Sequence, residues 1–221
     1  MLIFKQWILG LCVALIPFLA NAADEAVQEG KEYRLLPSKV AEAVANQDPN
    51  KIQVIEFFSY GCPGCNAITP AFNDWVTHQP TSVEVLRVPV VFHPSWELLA
   101  RAFYTAKYLN VLDKMDKALF DAVHVQKLNL SNKDTIRKVF VDNGVKAADF
   151  DTTFDSFGVS HQLEQGQQLL QQYQIMAIPT VVVNNRYVTD LEMTRSPAKF
   201  THVISVLAAE KSKSSASAPP H

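Results

Sequence analysis

The 221-residue chain is poor in cysteine and glycine and has no surplus of either charge. It holds three cysteines, and Cys12 lies in a leader-like segment, so one pair remains, Cys62 and Cys65. One pair is too few for a disulfide-stapled scaffold or for a zinc site with four cysteines. Twenty basic residues against 22 acidic ones give a net charge of −2, which is no footprint for a nucleic-acid partner. The six histidines, at 78, 93, 124, 161, 202 and 221, show no close ligand spacing, so no metal is expected. No apolar run is long enough to span a bilayer. The longest, Trp7 to Leu19, has 13 residues, against the roughly 20 that a spanning helix needs.

That short run has the make-up of an export signal. Lys5 precedes it, and Ala20-Asn21-Ala22 follows with small residues flanking the middle position. Cleavage is expected after Ala22, which makes 1–22 a signal peptide. Acidic Asp24 and Glu25 follow, not the basic residues of a stop-transfer segment. Cys12 is preceded by Leu11 rather than by small residues and sits inside the run, so it is read as discarded with the leader. The two cysteines left would then meet an oxidising compartment.

Lys51 to Tyr60 is short, β-branched and aromatic, the pattern of a strand buried on both faces. Gly61 ends it. A helix is expected next, with Ile68, Phe72, Trp75 and Val76 on one face, ending at His78 to Ser82. Val83 to Phe92 reads as another buried strand, which completes a parallel βαβ unit. Ser95 to Tyr173 carries helical stripes, Leu98, Leu99, Ala102, Phe103, Ala106 and then Leu112, Met115, Leu119, Val123. A further helix over Ser131 to Val141 is capped by Ser131 or Asn132, and Phe150 to Leu170 adds more. Thr180 to Val183 and Arg186 to Thr189 read as strands joined at Asn184-Asn185, and Pro197 opens a last helix to about Lys211. The expected division is 23–94 and 175–211 for an α/β domain, 95–174 for a helical insertion, and 212–221 for a disordered tail.

The chemistry lies in Cys62-Pro63-Gly64-Cys65. A pair two residues apart closes almost no loop, so its value as a structural staple is slight. Cys62 follows a buried strand and opens a helix, where unpaired backbone N–H groups favour negative charge. A cysteine there is expected to be thiolate near neutral pH. Cys65, one turn later and more buried, would resolve the mixed disulfide that Cys62 makes. Pro63 needs no N–H in a first turn, and Gly64 adds no side chain that would shield the sulfurs. Glu56, a carboxylate inside the apolar strand, is costly unless used or paired. It reads either as an acid that takes the Cys65 proton or as an edge residue reaching solvent. Pro179 enters the strand Thr180 to Val183. If cis, the Ile178-Pro179 bond would expose the Ile178 backbone to an extended substrate.

Glu56-Phe57-Phe58-Ser59-Tyr60-Gly61-Cys62-Pro63-Gly64-Cys65 closely resembles the active-site strand and helix start of the DsbA family. Ile178-Pro179-Thr180-Val181-Val182-Val183-Asn184 resembles that family's cis-proline loop. The resemblance extends over nearly all of the chain after the leader. It implies a thioredoxin fold, a central mixed sheet flanked by helices, with an inserted helical domain. It implies Cys62 as nucleophile, Cys65 as resolving cysteine, Pro179 as a cis-proline and Glu56 as a buried acid. The Ile178, Pro63 and Gly64 surfaces would meet substrate. The implied location is the periplasm, the clients are reduced or unfolded exported proteins, and a DsbB-like membrane oxidase linked to quinone would be the reoxidant. No cofactor is called for. Gly64 departs from the family, whose best-known members carry histidine there. Loss of one interaction of ~1–2 kcal/mol predicts a milder oxidant by a few tens of mV.

Three alternatives stand beside this reading: a disulfide isomerase or reductase, a redox-linked chaperone, and a glutathione-using transferase. Exported isomerases of the superfamily commonly dimerise through an added N-terminal domain. Here only residues 23–32 precede the first strand, so a monomeric oxidase is expected.

Overall fold

The computed structural model describes residues 26–43, 48 and 50–216. The leader, Cys12 and the cleavage position after Ala22 lie outside the described residues. Among those described, no helix is long and apolar enough to cross a membrane.

Five strands form one mixed sheet in the order β1-β5-β4-β2-β3, with β1 Arg34–Leu35, β2 Ile52–Phe58, β3 Val83–Pro89, β4 Thr180–Val183 and β5 Tyr187–Asp190. Only β2 and β3 run parallel, and the crossover between them is α2, Pro63–Thr77. The other pairings are antiparallel. The central position of β2 explains its continuous apolar run, because both of its faces are covered. β3 departs from expectation. It lies at the sheet edge, most of its residues are only half-buried, and it ends at Pro89, before Phe92. The turn between β4 and β5 places Asn184 and Asn185 at φ 53° and 54°, the left-handed pair that a tight hairpin of this hand requires.

One face of the sheet packs on α2 and α9, Pro197–Ala216. Val54, Val181 and Val183 meet Ile68, Phe72 and Trp75 from one helix and Phe200, Ile204 and Leu207 from the other. The opposite face, through Ile55, Phe57 and Val182, meets Val40 of α1 (Ser38–Ala43) and Leu170 and Tyr173 at the end of α7 (Phe157–Gln172).

Between β3 and β4 lie a 3-10 turn, Pro94–Trp96, and the helices α3 Glu97–Tyr108, α4 Leu112–His124, α5 Lys133–Asp142, α6 Ala147–Phe154 and α7. Their core holds Phe103, Met115, Leu119, Phe140, Phe150 and Phe154, and it continues into Phe58, Tyr60, Cys62 and Cys65. The cysteines therefore sit where the helical insertion meets the sheet. Asn132 caps α5, accepting from the Asp134 and Thr135 N–H groups. The further helical stretch expected from Phe150 to Leu170 is divided between α6 and α7, because Ser156 takes a cap geometry and starts α7 anew. A short α8, Leu191–Thr194, capped by Asp190, was not visible in the sequence pattern, being one turn long. α9 continues past Lys211, the expected end, to Ala216, so its last turn occupies the start of the segment expected to be disordered.

Candidate functional site: a dithiol at the start of a helix

The strand β2 ends at Phe58 because the chain turns there. Cys62 N–H donates to the Ser59 carbonyl, and Gly61 N–H donates to the Ser59 hydroxyl. Cys62 then takes an extended conformation, φ −92° and ψ 118°, as the N-cap of α2, with Pro63 in the first helical position. The sulfur does what a capping oxygen does elsewhere, accepting the Cys65 N–H at 3.3 Å. Cys62 is 7% exposed and Cys65 is fully buried. Both are thiols in this structure.

That geometry separates the two sulfurs electrically. The Cys62 thiol falls from 9.0 to about 7, chiefly because the Cys65 thiol donates to it, with the backbone N–H groups of Cys65 and Gly64 adding to the effect. Burial and the charge of Glu56 oppose the fall. The Cys65 thiol moves far upward, first because it is buried and then because it serves Cys62. One sulfur is prepared as a thiolate and the other holds a proton.

The Ile178-Pro179 bond is cis. Thr180 closes the loop by donating its hydroxyl to the Ala177 carbonyl at 2.8 Å. The Ile178 carbonyl faces the dithiol, 3.8 Å from the Cys62 sulfur. Gly64 lies beneath the proline. A Cβ there would stand 3.1 Å from Pro179 Cδ and 3.8 Å from the Cys62 sulfur. Gly61 is also held to glycine by a close approach, since its Cβ would fall 2.5 Å from the Trp96 indole nitrogen.

Every residue singled out from the sequence converges here: Cys62, Pro63, Gly64, Cys65, Ile178 and Pro179 around the sulfurs, and Glu56 behind them. Glu56 is fully buried at the centre of the sheet, not at an edge reaching solvent. In β2 it alternates with Ile55 and Phe57, so it points to the same side as Val54 and Phe58, toward α2 and the cysteines. Its charge is felt by both thiols. Burial raises the Glu56 carboxyl above its ordinary value, Arg87 works against that rise, and Asp116 adds to it.

Four groups around Glu56 and Tyr60 were missed. Arg87 is its register partner on β3 and donates Nε to Glu56 Oε2 at 2.5 Å. An arginine inside β3, beside a strand with a single glutamate, was the signal available. Asp116, Phe120 and His124 come from α4 at spacings of four residues, so they share a helix face. All three engage Tyr60. Asp116 Oδ1 accepts its hydroxyl at 3.0 Å, the Phe120 ring packs edge-on at 4.8 Å, and His124 Nε2 lies 2.8 Å from its carbonyl oxygen. Asp116 also takes Arg87 Nη1 at 2.8 Å and Asn73 Nδ2 at 3.3 Å. Nothing in the sequence pattern marked Asp116, which follows Met115 of the core stripe.

Among the described residues, no group of three or more histidine, cysteine or carboxylate side chains is placed to hold a metal. The arrangement fits thiol–disulfide exchange: a stabilised thiolate, a protonated neighbour within reach, and a backbone carbonyl beside the sulfur.

A family model, the DSBA-like thioredoxin domain, matches residues 85–196. The thiol:disulfide interchange protein DsbA of Pseudomonas syringae pv. tomato is 35% identical over 185 residues, covering 84% of this chain and 85% of its own. The chain belongs to the DsbA family.

DsbA of Pseudomonas aeruginosa is 32% identical over 187 residues, 85% of this chain and 86% of its own. The DsbA crystal structure from the same species superposes with a TM-score of 0.77 at 29% identity, covering 86% of this chain and 97% of that one. A Proteus mirabilis DsbA with one cysteine changed to serine, bound noncovalently to the peptide PWATCDS, superposes with a TM-score of 0.70 at 26% identity, over 85% of this chain and 99% of that one. The DsbA assignment makes this protein a thiol–disulfide oxidoreductase with a thioredoxin fold.

Proposed function

We propose that this protein is a periplasmic oxidase that introduces disulfides into exported proteins through Cys62 and Cys65. The observation that carries the reading is the asymmetry of the two thiols: Cys62 lowered to about 7, Cys65 raised and buried. A stabilised thiolate favours the reduced enzyme, so its disulfide is readily given away. A client thiolate attacks the Cys62 sulfur of the disulfide. The Cys62–Cys65 bond breaks, a client–Cys62 bond forms, and Cys65 leaves with the electron pair and takes a proton. A second client thiolate then attacks the client sulfur, the client disulfide forms, and the Cys62 thiolate departs.

In this reading Cys62 and Cys65 are catalytic, and Glu56 is the acid that supplies and later accepts the Cys65 proton. Pro63, Gly64, Ile178 and Pro179 form the surface where an extended client segment lies, with the Ile178 carbonyl offered to its backbone. That the Proteus mirabilis relative binds a cysteine-containing peptide noncovalently supports a peptide segment as the client. The clients are reduced or unfolded exported proteins. A DsbB-like membrane protein returns the electrons to quinone, the signal peptide is cleaved after Ala22, and the enzyme acts as a monomer.

One observation favours a second reading, a reductase or isomerase. A thiol at about 7 is in the range of thioredoxin-type pairs. Equilibration with glutathione buffers and thiol trapping separates the two. A potential well above the roughly −180 to −210 mV poise of secretory compartments supports the oxidase, and one near −270 mV overturns it. Cys62→Ser abolishes disulfide transfer in either case. Full activity of that variant in cells would instead support a chaperone without redox turnover.

A further inference from the structure

Two buried carboxylates share one guanidinium. Asp116 is well served: Arg87 Nη1, the Tyr60 hydroxyl and Asn73 Nδ2 all donate to it. Glu56 receives one bond, from Arg87 Nε, and its Oε1 is buried with no hydrogen-bond partner. Arg87 Nη2 is likewise buried without a partner. The guanidinium is held over the Phe58 ring, 4.3 Å from its centroid, which fixes its plane between the acids. A second negative charge nearby weakens the hold of Arg87 on the first. With both acids ionised the group is one negative charge in excess in a buried place, and one proton relieves it. The bare Oε1 of Glu56 is the open seat for that proton, on the side of the sheet that faces Cys65.

We propose that Asp116, supplied by the helical insertion, is a positioning residue that keeps Glu56 as the proton-carrying member of the Glu56–Arg87–Asp116 group, ready to protonate the leaving Cys65 sulfur. The proposal rests on the reading of Glu56 as the buried acid. It names a function for the insertion beyond covering the site: α4 holds the β2–α2 turn through Tyr60 and biases the acid behind it. The charged or titratable groups around Glu56 are Arg87 on β3, Asp116 on α4, Tyr60 in the turn, Cys62 at the N-cap of α2 and Cys65 on α2.

The test measures the rate at which dithiothreitol opens the Cys62–Cys65 disulfide of the purified protein, divided by dithiothreitol thiolate concentration, against pH. The wild-type rate falls as pH rises through the Glu56 inflection, because the acid loses the proton it donates. In Asp116→Asn, Arg87 belongs to Glu56 alone, and the inflection moves down by roughly one pH unit or more. Asp116→Glu restores it. Glu56→Gln removes the inflection, and Asp116→Asn adds no shift in that background. A carboxyl signal of Glu56, followed by isotope-edited infrared titration, moves in parallel. If Asp116→Asn does not fold, Tyr60→Phe takes one of the three donors from Asp116 and moves the same inflection. An inflection unmoved in the Asp116 or Tyr60 variant but absent in Glu56→Gln overturns the role of Asp116 alone. An inflection that survives Glu56→Gln overturns the buried-acid reading and this proposal with it.

Discussion

Gly64 packs directly beneath Pro179, with a Cβ at position 64 placed 3.1 Å from the proline ring and 3.8 Å from the Cys62 sulfur. Two segments from far apart in the chain thus meet over the nucleophile, and the room between them is glycine-sized. The missing side chain also leaves Cys62 stabilised by the Cys65 thiol and by the backbone N–H groups of Gly64 and Cys65, without a side chain at position 64.

Gly64→His restores a group that donates to, or carries charge toward, the thiolate. The reduction potential is expected to rise by a few tens of mV, since ~30 mV corresponds to ~1.4 kcal/mol for two electrons. Pro179 has to yield a few tenths of an ångström to admit the Cβ. Glutathione equilibration reads the potential, and a fall would mean that displacement of Pro179 outweighs the electrostatic gain.

Thiol alkylation should follow Cys62 alone, with half-maximal reactivity near pH 7, where its thiol has been lowered from 9.0. The stability of the reduced protein carries the same signature. A depressed value contributes stability that is fully present above the unfolded-state value and is lost as pH falls through about 7. Reduced wild type should therefore exceed reduced Cys62→Ser by more at about pH 9 than at about pH 6 in denaturant unfolding. Equal differences at both would mean that Cys62 titrates normally.

Arg87→Met strands two buried carboxylates. Removal of one member of a buried ion group costs about 3–5 kcal/mol. Burial raises the Glu56 carboxyl and Arg87 opposes that rise, so without Arg87 Glu56 holds its proton still more tightly folded than unfolded, and the variant should lose stability as pH rises and recover it in mild acid. Urea midpoints across the acid-to-neutral range check the sign. A pH-independent loss would indicate a packing defect over the Phe58 ring.

Phe150→Ala opens a cavity in the helical insertion, where Phe150 contacts Phe140 and Phe154 at ring-centroid distances of 4.8 and 5.0 Å. The expected cost is about 3–5 kcal/mol. Both ring contacts of Phe150 lie within the insertion, so the folded variant should keep the wild-type potential. A large shift in potential would show that the insertion core sets the redox pair more broadly than through α4.

Gly61→Ala drives the Trp96 indole away, because the new Cβ would overlap its nitrogen at 2.5 Å. Trp96 packs on the cluster that holds Cys62. Intrinsic fluorescence should change, and turnover of a protein client should fall more than reaction with dithiothreitol. Equal losses for both substrates would place the damage at the sulfurs themselves.

The chain by itself determined the class of chemistry. One cysteine pair two residues apart, at the junction of an apolar strand and a helix, gives a capping sulfur and a buried partner, because backbone N–H groups at a helix start have nowhere else to point. Periodicity also gave β2, α2, β4 and the hairpin, where local pattern and final burial agree. It was less informative about β3, whose apolar residues end up at a sheet edge. It marked no break between α6 and α7, which depends on one serine cap.

Only the tertiary structure decided what stands behind the sulfurs. Glu56 and Arg87 are far apart in sequence and become partners through strand register. Asp116 reaches them from a separate helix, and no period of two or of 3.6 residues encodes which helix face docks on which turn. Those contacts have physical weight because the site is buried: one guanidinium is bonded to both carboxylates, and that sharing is a property of the packed fold rather than of any one segment.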